Sequence, residues 1–255
     1  MQPLSKAKLR LFAALQLKKI RYEHGLYIAE GVKMCREALD SDYPVAAVVV
    51  RAGVTIPADL AVQPQLLYEA SVEDFQQITT QVNPEGILTV LRIPEAPLFQ
   101  ASCPTDLLPG GPAFILAALQ DPGNLGTIIR TSDWFGMPSL ILGPGTVDPF
   151  NPKVTRSSMG SLFRTQLHLF SDLESWLTVH AELVWCADME GEPIDQVDLS
   201  ARPYVLLGNE ALGVPPEIAR IQGLHKVTIP RIGKAESLNA ASAAAIFAWK
   251  LRHRS

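Results

Sequence analysis

The stretch FILAALQDPGNLGTIIRTSDWF (114–135) contains the change of pattern on which the fold class depends. It opens with an apolar run, 114–119, that is typical of a strand buried on both faces of a sheet. The glycine-containing turn DPGNLG (121–126) follows, and apolar residues at helical spacing then continue to about Phe135. A strand that leads through a tight turn into a helix is the unit from which parallel α/β sheets are built.

The residues on the C-terminal side continue this alternation. Further strands are predicted at 140–142, 183–187, 204–207 and 226–229, and helices at 215–221 and 237–252. Open α/β sheets bind ligands beyond the carboxyl ends of their strands. We therefore predict a parallel-sheet domain over 113–255, with its site in the loops that leave the strands.

Two further regions precede this domain. Residues 94–112 contain five prolines and a Gly-Gly pair, a density that neither a helix nor a central strand tolerates, and they are predicted to be a linker. In residues 1–93, shorter helices and strands alternate. Helices are predicted at 9–21, up to residue 39 and at 71–80, and strands at 45–50, 66–68 and 86–92. This pattern predicts a small α/β domain.

Composition limits the class of protein. Of 255 residues, 47% are hydrophobic and 19% charged, and no apolar run reaches the roughly 18 to 20 residues that span a bilayer. The N-terminus lacks the charged start, apolar run and cleavage site of a signal peptide. Cys35, Cys103 and Cys186 show no CxxC spacing and are predicted to be buried thiols of a cytoplasmic protein.

The charged residues are unevenly distributed. A net charge of −4 argues against a polycation made to bind nucleic acid. Residues 1–21, however, contain no acidic residue and six basic ones: Lys6, Lys8, Arg10, Lys18, Lys19 and Arg21. Such a segment can contact RNA phosphates, and we predict that role for these six side chains. An amphipathic helix with ordinary solvated lysines is the alternative.

The first of three loops with chemically useful residues is DPGNLG (121–126). Its glycines allow close backbone approach, and Asn124 and Arg130 are spaced so that they could converge on one phosphate or ribose. A tight strand-to-helix turn with a surface arginine is the alternative.

The second loop is GNEALG (208–213), and the third contains ESLN (236–239). Gly208 and Gly213 free the backbone to face a ligand, and Glu210 could orient an arginine or a ligand amine. An acidic residue that serves only the dipole of the following helix is the alternative. The helix after the third loop is rich in alanine, which allows close packing but is also simply the best helix former.

Other common sites are missing from the sequence. Neither the phosphate-binding pattern GxxxxGK[ST] nor the dinucleotide fingerprint GxGxxG occurs. The five histidines are isolated, without the spacing of metal ligands. No metal site is therefore predicted.

The three loops together, in this order, resemble the SpoU (TrmH-like) branch of the SPOUT RNA methyltransferases. The resemblance rests on NLGTIIRTSDWFG (124–136), YVLLGNEALGV (204–214) and VTIPRIGKAESLNAASAAA (227–245), with NPKVTRSSMGSLFR (151–164) as the connecting segment. A weaker similarity of YIAEGVKMCREAL (27–39) to the family's substrate-binding domain extends the resemblance over most of the chain.

The resemblance implies a fold and a reaction. The C-terminal sheet would be tied in a deep trefoil knot, the N-terminal domain would resemble ribosomal protein L30e, and the chain would form a homodimer with active sites at the interface. The implied product is a ribose 2′-O-methyl group, made with S-adenosylmethionine in structured RNA. We favour ribosomal RNA over transfer RNA as the substrate, and expect neither a metal nor a membrane to take part.

The same resemblance assigns the site residues. Asn124, Arg130, Glu210, Ser237 and Asn239 would form the catalytic group. The cofactor would be held by seven residues of the second and third loops and their flanks: Leu207, Gly208, Asn209, Gly213, Ile229, Pro230 and Leu238. Two other classes of protein stay open as alternatives, a catalytically silent RNA-binding relative and a nucleotide-binding oxidoreductase.

Overall fold

The chain divides into two compact units. The structure, a computed structural model, describes residues 1–94, the backbone of 99–100, and 110–253. Unit 1 contains Met1–Pro94 and Asp148–Arg164, and unit 2 contains the remaining described residues. The predicted domain 113–255 differs from unit 2 at Asp148–Arg164, a segment that packs with unit 1. Most of the predicted linker, 94–112, lies outside the described residues.

Unit 1 is an α/β unit with a mixed five-stranded sheet. Its strands are β1 (Gln2–Pro3), β2 (Leu26–Glu30), β3 (Val45–Arg51), β4 (Leu67–Ala70) and β5 (Ile87–Arg92), in the order β1-β4-β3-β5-β2. Its helices are α1 (Lys6–Ala14), α2 (Lys18–His24), α3 (Val32–Leu39), α4 (Val72–Ile78) and, from the second segment, α6 (Pro152–Ser158). Apolar residues of β3 and β5 contribute to clusters on both faces, so the sheet is buried on both sides.

The helix predicted at 9–21 is two helices, α1 and α2. The backbone is extended at Leu17, immediately before α2 begins. Between the helices, the Arg21 guanidinium donates to the carbonyl oxygens of Leu15 (2.8 Å) and Gln16 (2.9 Å). A side chain from the second helix therefore satisfies carbonyl groups at the end of the first, which stabilises the break.

The second segment of unit 1 is held by a buried ion pair. Arg21 Nε donates to Asp148 Oδ2 at 2.9 Å, and a terminal guanidinium nitrogen pairs with the same oxygen. The Tyr22 hydroxyl donates to Asp148 Oδ1 at 2.8 Å. Burial, and then the Asp148 charge, raise the pKa of Tyr22, so this phenol stays protonated. Because a buried charge requires its partner, these contacts hold the segment to unit 1.

Unit 2 is built on a parallel sheet of seven strands. They are β6 (Phe99–Gln100), β7 (Ala113–Leu116), β8 (Ser139–Leu142), β9 (Gln166–Phe170), β10 (Val184–Pro193), β11 (Tyr204–Leu207) and β12 (His225–Thr228), in the order β12-β10-β11-β7-β8-β9-β6. Its helices are α5 (Pro122–Trp134), α7 (Leu173–His180), α8 (Pro216–Ala219) and α9 (Ala240–Arg252). The α/β fold class with a parallel sheet is confirmed.

The central strands of unit 2 are buried along their whole length. Every residue of β7, β8 and β11 is buried, as expected of continuous apolar runs between two layers of helices. β7 ends at Leu116 rather than at Leu119, because Ala118 adopts a φ of 58° that a strand cannot accommodate. This turn of the backbone directs the chain towards the first loop.

Two cysteines lie in the cores of the units. Cys35 and Cys186 are buried free thiols, as predicted, and burial raises the pKa of each to about 12. Cys103 lies outside the described residues. In the part of the chain that the structure describes, no helix is long and apolar enough to cross a membrane.

Candidate active site

Three polar side chains from the three loops meet at one edge of the unit 2 sheet. Asn124 lies in the first turn of α5, Glu210 follows β11, and Asn239 directly precedes α9. Asn124 Nδ2 donates to Glu210 Oε1 at 2.9 Å, and Asn239 Nδ2 donates to Asn124 Oδ1 at 2.8 Å. The structure thus brings together three of the five predicted catalytic residues, in what we call the carboxylate–amide relay.

The two ends of the relay fix the orientation of both asparagine amides. A carboxylate only accepts hydrogen bonds, so Asn124 must present its nitrogen to Glu210 and its oxygen to Asn239. At the other end, Asn239 Oδ1 caps α9 by accepting from the backbone nitrogens of Ala241 (2.9 Å) and Ser242 (3.3 Å). Each amide nitrogen keeps one further N–H that no described residue accepts. These two N–H groups are available to a substrate.

Glu210 stays ionised at neutral pH. Burial opposes its ionisation, but hydrogen bonds from the Asn124 side chain and from backbone amides, including those of Asp121 (3.2 Å) and Gln120 (3.4 Å), outweigh burial and hold the pKa below its usual value. These donors belong to the start of α5. Glu210 therefore joins the first two loops, and does not serve only the dipole of α8, the helix that follows it.

Arg130 does not join the relay. α5 begins at Pro122 rather than near Gly126, because Asp121 caps it by accepting from the backbone nitrogen of Asn124 at 2.8 Å. Arg130 follows Asn124 by six positions in the helix, which places the two residues about 120° apart around the axis and about 9 Å apart along it. The two residues therefore lie on different sides of α5, and their predicted convergence on one phosphate or ribose stays a prediction. Arg130 is exposed and makes no hydrogen bond or ion pair with any described residue.

A cavity of about 700 Å³ adjoins the relay at Glu210. All seven predicted cofactor-binding residues line it, and so do Glu210 and Ser237 of the predicted catalytic group. The turn after β11 requires glycine twice. A Cβ on Gly208 would lie 2.2 Å from the backbone nitrogen of Val214, and Gly213 adopts a φ of 70°.

The Asn209 side chain makes hydrogen bonds within the protein. Its Nδ2 donates to the carbonyl oxygen of Ala118 at 3.0 Å, and its Oδ1 accepts from the backbone nitrogens of Ala211 (2.9 Å) and Leu212 (3.1 Å). It therefore holds the strained Ala118 and shapes the turn that lines the cavity. The Asn209 side chain therefore has a structural role in this turn, which the motif alone did not reveal.

Large apolar side chains around the cavity are exposed to solvent. They are Met189, Leu212, Ile232 and Leu238, with exposed fractions of 55%, 86%, 101% and 49%. Exposed apolar surface of this extent is typical of a ligand site. Sequence reasoning identified only Leu238. Leu212 and Ile232 lie within the second and third motifs but were assigned no role, and their positions soon after β11 and β12 could have indicated one. Met189 lies within β10 and belongs to no motif.

The predicted RNA-binding side chains lie in unit 1. Lys6, Arg10, Lys18 and Lys19 are exposed, while Lys8 is half-buried, with Nζ 4.5 Å from the centroid of the Tyr68 ring. Arg21 is 2% exposed and paired with Asp148, so its assignment to RNA binding is wrong. The other five residues remain candidates.

Comparison with known proteins assigns the chain to a family. Residues 112–249 match the SpoU rRNA Methylase family, and residues 6–89 match the MRM3-like substrate binding domain. The chain belongs to the SpoU methylase family. The SpoU match contains all three loops of the candidate site, and the second match lies within unit 1.

Three relatives of this SpoU family member illustrate the similarity. The 23S rRNA (guanosine(2553)-2′-O)-methyltransferase RlmP of Bacillus subtilis is 33% identical over 96% of each chain. A 23S rRNA (uridine(2479)-2′-O)-methyltransferase of Streptomyces viridochromogenes is 33% identical over 48% of this chain and 46% of its own. The crystal structure of an AdoMet-bound rRNA methyltransferase from Sinorhizobium meliloti has a TM-score of 0.79 and 31% identity, over 99% of this chain and 96% of that one.

Proposed function

We propose that the chain is an S-adenosylmethionine-dependent methyltransferase that methylates a ribose 2′-hydroxyl in ribosomal RNA. The observation that carries the proposal is the carboxylate–amide relay beside a cavity lined by the second and third loops. The relatives from Bacillus subtilis and Streptomyces viridochromogenes are named as 2′-O-methyltransferases of 23S rRNA, one for a guanosine and one for a uridine. Their shared target group is the ribose hydroxyl, which supports a site that acts on the sugar.

The cavity fits S-adenosylmethionine in size and chemistry. A volume of about 700 Å³ suits a nucleoside cofactor. The exposed apolar side chains of Leu212, Ile232 and Leu238 suit a purine ring, and the Glu236 carboxylate among the lining residues suits a ligand that carries positive charge. The glycine-shaped turn after β11 lets the backbone approach the ligand closely.

The residues of the site have different roles in the proposed reaction. S-adenosylmethionine supplies an activated methyl electrophile, so the protein must position a hydroxyl and stabilise its developing charge. The cationic side chain of Arg130 stabilises the developing alkoxide electrostatically, because a guanidinium is not a base, and the hydroxyl proton passes to solvent water. Ser237 and Asn239 hold the reacting groups in line. Glu210, whose hydrogen bonds lower its pKa, orients Asn124 and is a poor base.

Two measurements on the full-length protein test the proposed function. Calorimetry should show binding of S-adenosylmethionine, and mapping of 2′-O-methyl groups should find one ribosomal RNA site that disappears in a deletion strain and returns on complementation. Binding of NAD alone would support the oxidoreductase alternative. Cofactor binding with an unchanged methylation map would support the silent relative.

The exposed basic residues of α1 and α2 are proposed to dock the RNA. The double substitution Lys18→Glu/Lys19→Glu is expected to raise the KM for RNA about tenfold near 0.1 M salt, because it removes phosphate contacts. The affinity for S-adenosylmethionine should not change. Point substitutions are required here, since Phe12 and Leu15 belong to the unit 1 core and deletion of 1–21 would unfold it.

The matched control for this prediction is Lys33→Glu/Arg92→Glu. It changes the net charge of unit 1 by the same amount at exposed positions outside 1–21. Filter binding and steady-state kinetics at several salt concentrations compare the two variants. An equal rise in KM for both would mean that the 1–21 segment is not the docking element.

We propose a homodimer from the exposed faces of two helices that pack together, α5 and α9. α5 presents Thr127, Arg130 and Trp134 at one helical stripe, and α9 presents Ile246 and Trp249. Trp134 and Trp249 are 83% and 54% exposed, as is typical of an uncovered interface. A second copy on this face would bring Arg130 to the partner's relay. A monomer in sedimentation at micromolar concentration would contradict the proposal.

Three finer features belong to the same proposal. A C-terminal trefoil knot is supported by the packing of α9 on α5 and β11. A crystal structure in which the chain does not pass through a loop of its own backbone would contradict the knot. An N-terminal domain like ribosomal protein L30e is supported by the mixed sheet of unit 1, and a crystal structure that superposes poorly on that protein would contradict it. The free thiols of Cys35 and Cys186 support a cytoplasmic location, which cell fractionation checks.

A further inference from the structure

β10 separates from its neighbour β12 for four residues and then returns. Both Ala187 and Glu192 pair with Val227, so residues 188–191 form a bulge between them. Gly191 closes the bulge against β12, since a Cβ at this position would lie 2.4 Å from the backbone nitrogen of Val227. The bulge is therefore a tightly fitted feature of the sheet edge.

The bulge forms part of the cavity wall. Asp188 and Met189 line the cavity together with Ala187, the last residue before the bulge. Met189 is 55% exposed, so its apolar side chain is available to a ligand. The shape of this wall depends on the conformation that the four bulge residues adopt.

One ion pair ties the bulge to the edge strand. Asp188 Oδ2 lies 2.8 Å from Lys226 Nζ on β12, and Asp188 Oδ1 accepts from the backbone nitrogen of Glu190 within the bulge at 2.9 Å. The hydrogen bond from Lys226 to Asp188 raises the pKa of Lys226. Burial opposes ionisation of Asp188, but the bonds from Lys226 and Glu190 keep its pKa below its usual value. Both groups are therefore charged at neutral pH.

We propose that the Asp188–Lys226 ion pair positions the cofactor wall, holding the bulge so that Ala187 and Met189 present a fixed surface to bound S-adenosylmethionine. The inference rests on the proposed function. Both Asp188 oxygens are occupied by protein donors, and Lys226 does not line the cavity, so the pair acts through the bulge and not as a ligand. Asp188 and Lys226 are positioning residues, because neither touches the reacting atoms.

Calorimetry on the full-length protein tests the proposal with three variants. Lys226→Met and Asp188→Asn are each expected to raise the Kd for S-adenosylmethionine about tenfold, because each removes a charge-assisted hydrogen bond that fixes the wall. Lys226→Arg keeps the charge and should restore most of the affinity. With cofactor and RNA saturating, kcat should stay within about twofold of wild type, since the transition-state contacts are intact.

Hydrogen exchange supplies a readout that does not depend on activity. In Lys226→Met without cofactor, amides of residues 187–192 should exchange faster, while those of β7 and β11 should not change. Glu182→Gln is the matched control. Glu182 contacts Arg202 and His225 at the same edge of the sheet but does not line the cavity, so its loss should leave the Kd unchanged.

The outcomes separate this inference from the proposed function. If wild type binds no S-adenosylmethionine, the proposed function fails and the inference fails with it. If wild type binds and both Lys226→Met and Asp188→Asn bind equally tightly, only the inference is overturned. If Asp188→Asn alone loses affinity, Asp188 contacts the cofactor directly and the positioning role is wrong.

Discussion

Replacement of Arg130 by alanine should lower the rate of methyl transfer by about 10²- to 10³-fold, which is what the loss of one donor to a developing oxyanion costs. The affinity for S-adenosylmethionine should not change, because Arg130 does not line the cavity and makes no hydrogen bond or ion pair with any described residue. Single-turnover rates with saturating RNA measure the first effect, and calorimetry measures the second.

Two comparisons make this result interpretable. Arg220→Ala removes another exposed arginine of unit 2, at the end of α8, and should leave the rate unchanged. Near-normal turnover of Arg130→Ala would remove this residue from the mechanism.

In the proposed dimer, mixing Arg130→Ala with Ser237→Ala should restore about a quarter of the wild-type sites, because one site of each mixed dimer is intact. No restoration would mean that Arg130 does not act on the partner's site.

Buried strands and the order of the loops could be predicted from the sequence. β11 was predicted with the bounds that it has, because a strand covered on both faces reads as a continuous apolar run. The grouping of Asn124 with Glu210 and Asn239 was implied by the family resemblance, and it agrees with the rule that loops leaving the carboxyl ends of parallel strands share one edge of the sheet.

The failures share a physical cause, which is that a charged side chain in a sequence does not reveal its partner. Arg21 was placed among solvated cations, yet its carboxylate partner Asp148 is 127 residues away in the chain. For the same reason the sequence did not show that the segment 148–164 packs with residues of unit 1. The start of α5 depends on the cap at Asp121, so the sequence did not show that Arg130 lies away from the relay of its own chain. The catalytic role of Arg130 stays a prediction.

Replacement of Asp148 by alanine should lower the free energy of unfolding of unit 1 by about 3–5 kcal/mol, because it leaves the Arg21 charge buried without a counter-charge. The two side chains are 2% and 4% exposed, and Tyr22 loses its acceptor at the same time. All four tryptophans belong to unit 2, so their fluorescence in urea follows that unit, while hydrogen exchange of β3 and β5 amides follows unit 1. We expect exchange in these strands to accelerate about 10²- to 10⁴-fold with little change in the tryptophan transition.

An exposed ion pair of the same unit provides the control. Asp59→Ala removes the ion-pair partner of Arg36. The Asp59 side chain is 59% exposed and the Arg36 side chain 40%. The substitution should therefore lower the free energy of unfolding by no more than about 1 kcal/mol. The double substitution Arg21→Met/Asp148→Leu should be more stable than Asp148→Ala, because it removes both charges instead of stranding one. Exchange in β3 and β5 at the wild-type rate in Asp148→Ala would show that this ion pair does not hold the segment 148–164 to unit 1.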